Sequence, residues 1–238
     1  MYLNKFKMFK KKRIISVITA RKGSTRIKNK NLKLFCNKPL VYWSILVSKK
    51  SKFIDKTFVS SDDPKILKLA KKMKCETVLR SKKLSNNTIM PDFAVIDVLK
   101  KFGKPNDIVI FLQPTSPLRL ITDIDNAIKK FVNTKCDSLL SVNKFNDFKF
   151  IWKKEKNSKF FSPVNYSFKK RPMSQKLSQF FENGSLYVTY SKKFLKSKNR
   201  LMGKKQIYEM KDWQASEIDT IADFKRCENI FKKKIKVK

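Results

Sequence analysis

The 238-residue chain contains no histidine, which excludes a Ser-His-Asp triad, an imidazole general base and the usual zinc sites. Glycine is nearly absent, at 4 residues. Neither G-x-x-x-x-G-K-[ST] nor G-x-G-x-x-G occurs, so a Walker loop and a dinucleotide fingerprint are excluded as well. Acidic residues number 19 against 57 basic ones, a formal charge of +38. The four cysteines, Cys36, Cys75, Cys136 and Cys227, are far apart and form no C-x-x-C pair, and they read as reduced thiols of a cytoplasmic protein. No apolar run approaches the ~18 residues of a membrane span. The basic start before Ile14 superficially resembles a secretory leader, but it runs into a charged motif with no small-residue cleavage site. Catalysis must therefore rest on Lys, Arg, Asp, Glu, backbone amides or a carboxylate-bound metal.

What is present is enough for a packed core, since 41% of residues are hydrophobic and 12% aromatic. The positive excess suggests a nucleic-acid-binding protein, an alternative of a different class. Against it, the basic residues are 49 lysines and only 8 arginines, whereas phosphate and base recognition favours the arginine fork. The lysines are also spread along the chain, so solvated surface charge is the preferred reading. An anionic small-molecule substrate is compatible with either.

Short apolar runs alternate with amphipathic ones. Strands are expected at Ile14–Ala20, from Thr57, from Cys75, from Asp107 (DIVIFLQ, the most hydrophobic) and from Ser138. Helices are expected between them, from Pro39, from Pro64 behind a capping Asp62-Asp63 pair, from Phe93 and from Asp123. This rhythm predicts an α/β fold with a mostly parallel sheet and helices on both faces. From Phe145 to Phe181 the period is lost; the aromatic, lysine-rich segment reads as a small β-hairpin insertion that docks on a second subunit. Strand character returns at SLYVTY from Ser185 and at QIYEM from Gln206, and TIADFKRCENIFKKK is a C-terminal helix. The expected organisation is one domain over 14–238, with 145–181 as the insertion and 1–13 as a basic extension.

Two polar segments follow buried strands, where open α/β sheets bind ligands. After the first strand, Arg21, Lys22, Gly23, Ser24, Arg26, Lys28, Lys30 and Asn31 form a loop able to neutralise a polyphosphate. By spacing alone it is equally a solvated basic turn. After DIVIFLQ the chain abruptly presents QPTSPLR from Gln113, either a proline-locked loop or a substrate edge. In SEIDT, Glu217 and Asp219 lie two apart, on one side if the segment is extended. They read as magnesium ligands or as an N-cap pair for the last helix.

The ordered blocks A-R-x-G-S-x-x-I-x-x-K-N-L, K-P-L, V-S-S-D-D, L-Q-P-T-S-P-L-R, E-N-G-S-L-Y-V and E-I-D-T-x-x-D-F resemble the acylneuraminate cytidylyltransferase family from about Ile14 to about Phe231. The resemblance implies a Rossmann-like three-layer sandwich of the nucleotide-diphospho-sugar transferase type. It implies a cytoplasmic homodimer that joins CTP to a nine-carbon 2-keto acid sugar, such as a sialic or legionaminic acid, with Mg²⁺. By position it assigns the nucleotide to Arg21, Ser24, Lys30, Asn31, Arg80 and Thr88. The sugar falls to Gln113, Arg171, Gln175, Asn183 and Tyr187, and the metal to Glu217 and Asp219. Arg21, Lys30 and Asp219 carry the catalytic roles, and Arg119 a structural one. The chain departs from the family at Asn87, Met90 and Pro91, where acidic, small or hydroxyl residues are usual. An enzyme alternative is a cytidylyltransferase for the eight-carbon sugar Kdo, from which the N-G-x-x-Y and E-I-D-T blocks turn the reading away.

Overall fold

In the computed structural model, residues 12–144, 150–173 and 179–235 are described. Strand β1 (Ile14–Thr19) is buried along its length, as its β-branched composition on both faces requires. A hairpin of β2 (Leu34–Phe35) and β3 (Lys38–Pro39) follows, turning on Cys36 and Asn37, both at positive φ, the geometry of a two-residue hairpin turn. It leads into helix α1 (Leu40–Lys50), strand β4 (Lys56–Ser61) and helix α2 (Pro64–Lys72). The Asp63 carboxylate accepts from the Lys65 amide at 2.8 Å, so the expected cap is in place. Then come β5 (Glu76–Leu79), α3 (Pro91–Phe102), β6 (Ile108–Leu112), α4 (Ile121–Thr134) and β7 (Ser138–Lys144). The remaining elements are the arm strands β8 (Trp152–Lys154) and β9 (Phe161–Pro163), the long strand β10 (Phe180–Tyr190), helix α5 (Ser191–Ser197), β11 (Lys205–Glu209) and α6 (Ile221–Lys234).

Seven strands form one sheet in the order β11-β7-β10-β6-β1-β4-β5. All pairs are parallel except those of β10, which runs antiparallel to both β6 and β7. The strand alternation sorts side chains into two layers. Ile14 and Ile18 pack with α1, α2 and α4 on one face, while Ile15 and Val17 pack with α3 and α5 on the other. A third cluster seats α6 through Phe224, Cys227 and Phe231 against Phe35, Leu40 and Trp43. These are the three layers expected.

One strand departs from the sequence reading. Strand β10 begins at Phe180, five residues before Ser185, because Phe180 and Phe181 pair with Lys144 and Asn143 across a bulge between Glu182 and Tyr187. The sheet thus claims the last two residues of the segment assigned to the insertion. An antiparallel return to β7 needs no crossover helix, so the chain leaves and re-enters the sheet through the arm. Within the arm β8 and β9 pair as the expected hairpin, and Trp152, Phe160, Phe161 and Phe168 are each more than half exposed.

No helix among the described residues is long and apolar enough to cross a membrane.

Candidate functional site

The chain passes from β1 outward to β4 and β5, then returns to place β6 on the other side of β1. Such a switch of direction leaves a crevice at the carboxyl ends of the two strands. Here it holds a cleft of about 350 Å³, lined among others by Arg21, Ser24, Lys30, Asn31, Arg80, Gln113, Glu217 and Asp219. Segments nearly 200 residues apart therefore meet in one place.

The loop after β1 forms the cationic wall. Asn29 adopts a left-handed backbone (φ 53°) ahead of a tight turn over Lys30–Leu32, a conformation asparagine tolerates better than most residues. The turn aims Lys30 inward, where its Nζ donates to the Ile218 carbonyl at 2.7 Å and to Asp219 Oδ1 at 3.4 Å. Arg26 pairs with the other Asp219 oxygen at 2.9 Å. Asn31 is buried, its amide donating to the Arg21 carbonyl at 2.9 Å, which fixes the loop. Arg21 donates to Asn87 Oδ1 across the cleft. Arg80, at the end of β5, is held by the Ser60 carbonyl at 3.0 Å. Burial pulls its guanidinium down to about 10, so it stays protonated at neutral pH.

The opposite wall is acidic. Between Glu217 and Asp219 lies fully buried Ile218, which belongs to the α6 cluster. Its amide donates to the Thr115 carbonyl at 2.8 Å, which ties the segment to the loop after β6, and both carboxylates line the cleft. Thr115 Oγ1 donates to Glu217 Oε1 at 2.7 Å. The cap of α6 is made by Thr220 and Asp223, so Glu217 and Asp219 are not its N-cap pair. Gly184 sits at φ +67°, and a Cβ there would lie 3.0 Å from Glu217 Oε2 and 3.4 Å from Gln113 Nε2. Only a bare backbone leaves both groups this close.

Burial raises the Glu217 carboxyl above its ordinary value, more than Thr115 and Lys30 lower it, with Asp219 adding to the rise. The folded form therefore favours the proton more than the unfolded chain does. This contribution to stability is complete below the unfolded pKa and is lost as pH rises through the folded one. Glu217→Gln is accordingly expected to raise the melting temperature at pH 7 by roughly 1–3 °C, and to narrow the gap at pH 4. A variant that melts lower at pH 7 contradicts this.

Among the described residues assigned to the sugar, only Gln113 lines the cleft. Asn183 is buried in a closed network, donating to Asn143 Oδ1 at 2.7 Å and accepting from Ser141 Oγ at 2.6 Å. Tyr187 stacks on Phe111 in the core, and its hydroxyl donates to Glu182. Burial pushes this phenol well up. Arg171 lies in the arm, 4.1 Å from the Phe150 ring. Thr88 is exposed and outside the cleft lining, although Asn87 and Ile89 on either side of it are part of it. Gln175 lies outside the described residues.

Three features were missed in the sequence. Thr115 stands inside a quoted motif but received no role. Gly184 carried a signal, being a glycine within a strand, the mark of a close approach. Arg200 forms a bidentate pair with fully buried Asp92 at the start of α3 and covers the Phe111 and Tyr187 rings at 4.8 and 4.7 Å. The two are 108 positions apart, and no local pattern announces them. Arg119 is buried, donating to Ser185 and to Ser44 at 2.8 Å, the structural role expected.

Two carboxylates and a threonine hydroxyl are hard oxygen donors of the kind magnesium takes alongside phosphate oxygens. No group of three or more acidic, histidine or cysteine side chains among the described residues forms a metal cage. The donor set suits an ion shared with an anionic ligand.

Comparison with known proteins gives the chain's family. A family model described as Cytidylyltransferase matches residues 15–237. The chain is 30% identical over 222 residues to N-acylneuraminate cytidylyltransferase A of Danio rerio, covering 90% of this chain and 50% of that protein. It is 36% identical over 121 residues to CMP-N,N'-diacetyllegionaminic acid synthase of Legionella pneumophila, covering 49% of this chain and 52% of that protein. The chain spans about half the length of these relatives. In fold it is similar to a CMP:2-keto-3-deoxy-manno-octonic acid synthetase solved with CTP, with a TM-score of 0.70 over 94% of this chain and 100% of the other, at 15% identity.

Proposed function

The chain belongs to the cytidylyltransferase family, and on that premise we propose that it condenses CTP with a nonulosonic acid of the sialic or legionaminic kind, releasing pyrophosphate and the CMP-sugar. The observation that carries the proposal is the facing of four cations, Arg21, Arg26, Lys30 and Arg80, and two carboxylates, Glu217 and Asp219, across one cleft at the sheet's switch point. Relatives named for N-acylneuraminate and for diacetyllegionaminic acid support the nine-carbon substrate.

Attack of the sugar's anomeric hydroxyl on the α-phosphorus asks the protein mainly for alignment and charge neutralisation. This is how a chain without histidine can catalyse it. Arg21, Ser24, Asn31 and Arg80 are assigned to the triphosphate and its nucleoside. Lys30 is assigned to the charge that builds up at the attacked phosphorus. Gln113, beside the bare backbone of Gly184, is assigned to the sugar. Glu217 and Asp219 would hold Mg²⁺, which when bound neutralises phosphate charge and orients the leaving pyrophosphate.

Asn183 and Tyr187 are buried away from the cleft lining, which supports a role in shaping the β10 bulge beneath the sugar. Arg171 and the exposed aromatic arm are assigned to contact with a second subunit, making the working form a homodimer. The reaction is assigned to the cytoplasm, in keeping with four free cysteines.

The test is pyrophosphate release with CTP, Mg²⁺ and a panel of N-acetylneuraminate, legionaminate and Kdo. Release with a nine-carbon acid and not with Kdo is expected. Release with Kdo alone would transfer the chain to the eight-carbon branch. Silence with every acid, combined with steeply salt-dependent DNA binding, would overturn the enzyme reading altogether.

A further inference from the structure

The loop 81–90, between β5 and α3, forms one wall of the cleft. Leu84 and Ile89, with Pro91 at the start of α3, give the lining an apolar side, which suits the flat faces of a base better than a phosphate. The loop's own hydrogen bonds are short-range. The Leu84 amide donates to Ser81 Oγ at 3.4 Å, Ser85 Oγ to the Ser81 carbonyl at 3.1 Å, and the Thr88 amide to Asn86 Oδ1 at 3.3 Å. The bond from Arg21 to Asn87 spans the cleft and is exposed. Such bonds shape a loop without fixing it to the sheet, so the wall depends on its two ends. At the first, the Arg80 amide donates to the Ser61 carbonyl at 2.9 Å.

The second end is Asp92, which is fully buried. Met90 gives α3 no side-chain cap, and the acid of the first turn is not spent on the helix either. Among the described residues the Asp92 carboxylate accepts from Arg200 alone: from its backbone amide at 3.1 Å, from Nε at 3.0 Å and from Nη2. The Arg200 side chain, just beyond α5, is 14% exposed. Its guanidinium lies over Phe111 of β6 and Tyr187 of β10, so the anchor rests on the sheet itself. The turn that carries it is tied as well, the Leu201 amide donating to Asn199 Oδ1 at 2.9 Å. Stability alone does not call for such a pair, since apolar residues of similar volume often hold a buried site as firmly. What the fork adds is direction.

We infer that Arg200 is a positioning residue for the nucleotide: by clamping Asp92 it holds Ile89 and Pro91 at the spacing from Arg21 and Arg80 that the nucleoside needs. The inference rests on the CTP reading above. Arg200 and Asp92 stand behind the cleft lining and not in it, so the effect passes along the backbone from Asp92 to Pro91. Lys30, Glu217 and Asp219 are held by other segments. Loss of the clamp is therefore expected to weaken nucleotide binding more than chemistry.

The decisive variant is Asp92→Leu/Arg200→Met, which removes both charges and keeps the site filled; Arg200→Met alone leaves a buried carboxylate unpaired and can unfold the chain. The double variant is expected to melt within about 5 °C of the parent. Isothermal titration calorimetry should show it binding CTP at least about fivefold more weakly. Its KM for CTP should rise by a similar factor, with kcat within about threefold of the parent's. Hydrogen exchange of the ligand-free chain should show amides 81–90 opening at least about fivefold faster, with those of β6 unchanged. Arg200→Lys, which keeps the charge but not the fork, should fall between the two. Unchanged exchange in the loop overturns the inference. So does a fall in kcat with KM unchanged, or a double variant that melts far below the parent, since either marks a brace for the fold alone. A parent that binds no CTP overturns this inference together with the reading it rests on. A parent that binds CTP and a double variant that binds it equally well overturn the role of Arg200 alone.

Discussion

Lys30→Ala is expected to lower kcat for pyrophosphate release by about 10²–10³-fold, the scale seen when one preorganised donor is removed from a developing charge. Three observations lead there. Lys30 is well shielded from water, its side chain 12% exposed against 66% for Arg26. Its position is fixed by the Ile218 carbonyl, which belongs to a segment locked in turn to Thr115. A cation held in place before the substrate arrives needs no reorganisation when charge moves. The KM for CTP is expected to change far less than kcat, because a group that acts mainly in the transition state contributes little to ground-state binding. Lys30→Arg keeps the charge but not the compact ammonium geometry, and an intermediate rate is expected. The fold survives both changes, because the amine lies at the edge of the cleft and not in a core cluster; matching melting curves would verify this. Near-normal kcat in Lys30→Ala would remove Lys30 from the reaction.

How far the sequence spoke depends on whether the forces are local. The parallel strands were legible because a doubly covered strand must be apolar on both faces, and Ile14–Thr19 and Ile108–Leu112 are. The helices announced themselves through capping Asp63 and through apolar spacing. Strand β10 was read short because its first half, FFENG, contains a bulge, a glycine and an acidic residue, and its pairing depends on Lys144 and Asn143, distant in the chain. Its antiparallel direction was invisible, since burial on both faces leaves the same composition in either orientation. The cleft was legible where a motif crowded charge next to a strand end, as in the loop carrying Arg21 and Lys30. It was less so where side chains turned inward. Asn183 and Tyr187 fit a sugar-facing pattern, yet the structure satisfies Asn183 with Ser141 and Asn143, and Tyr187 with Phe111 and Glu182. Nothing in E-N-G-S-L-Y tells an inward-facing amide from a ligand-facing one.

The acidic wall gives the sharpest remaining test. Asp219 is half exposed and bridges Arg26 and Lys30, so its charge is balanced by side chains before any ligand enters. Exposed pairs of this kind contribute at most about 1 kcal/mol to stability, so Asp219→Asn is expected to fold and melt nearly as the parent does. The amide preserves the shape and one oxygen but removes the negative charge that a hard divalent cation requires. In the presence of CTP, Mn²⁺ binding measured by electron paramagnetic resonance is expected to weaken at least about tenfold. Turnover should fall by at least about 10²-fold, and raising Mg²⁺ should recover part of it. Glu217→Gln should weaken Mn²⁺ as well, but less, because its Oε1 is already committed to Thr115. Two readouts keep metal binding apart from a structural role. A side chain that merely tethers Arg26 and Lys30 would leave Mn²⁺ affinity unchanged and would not respond to added metal. If Asp219→Asn binds Mn²⁺ as tightly as the parent, the carboxylate belongs to the cation loop alone, and the divalent ion must be held by Glu217 and the nucleotide.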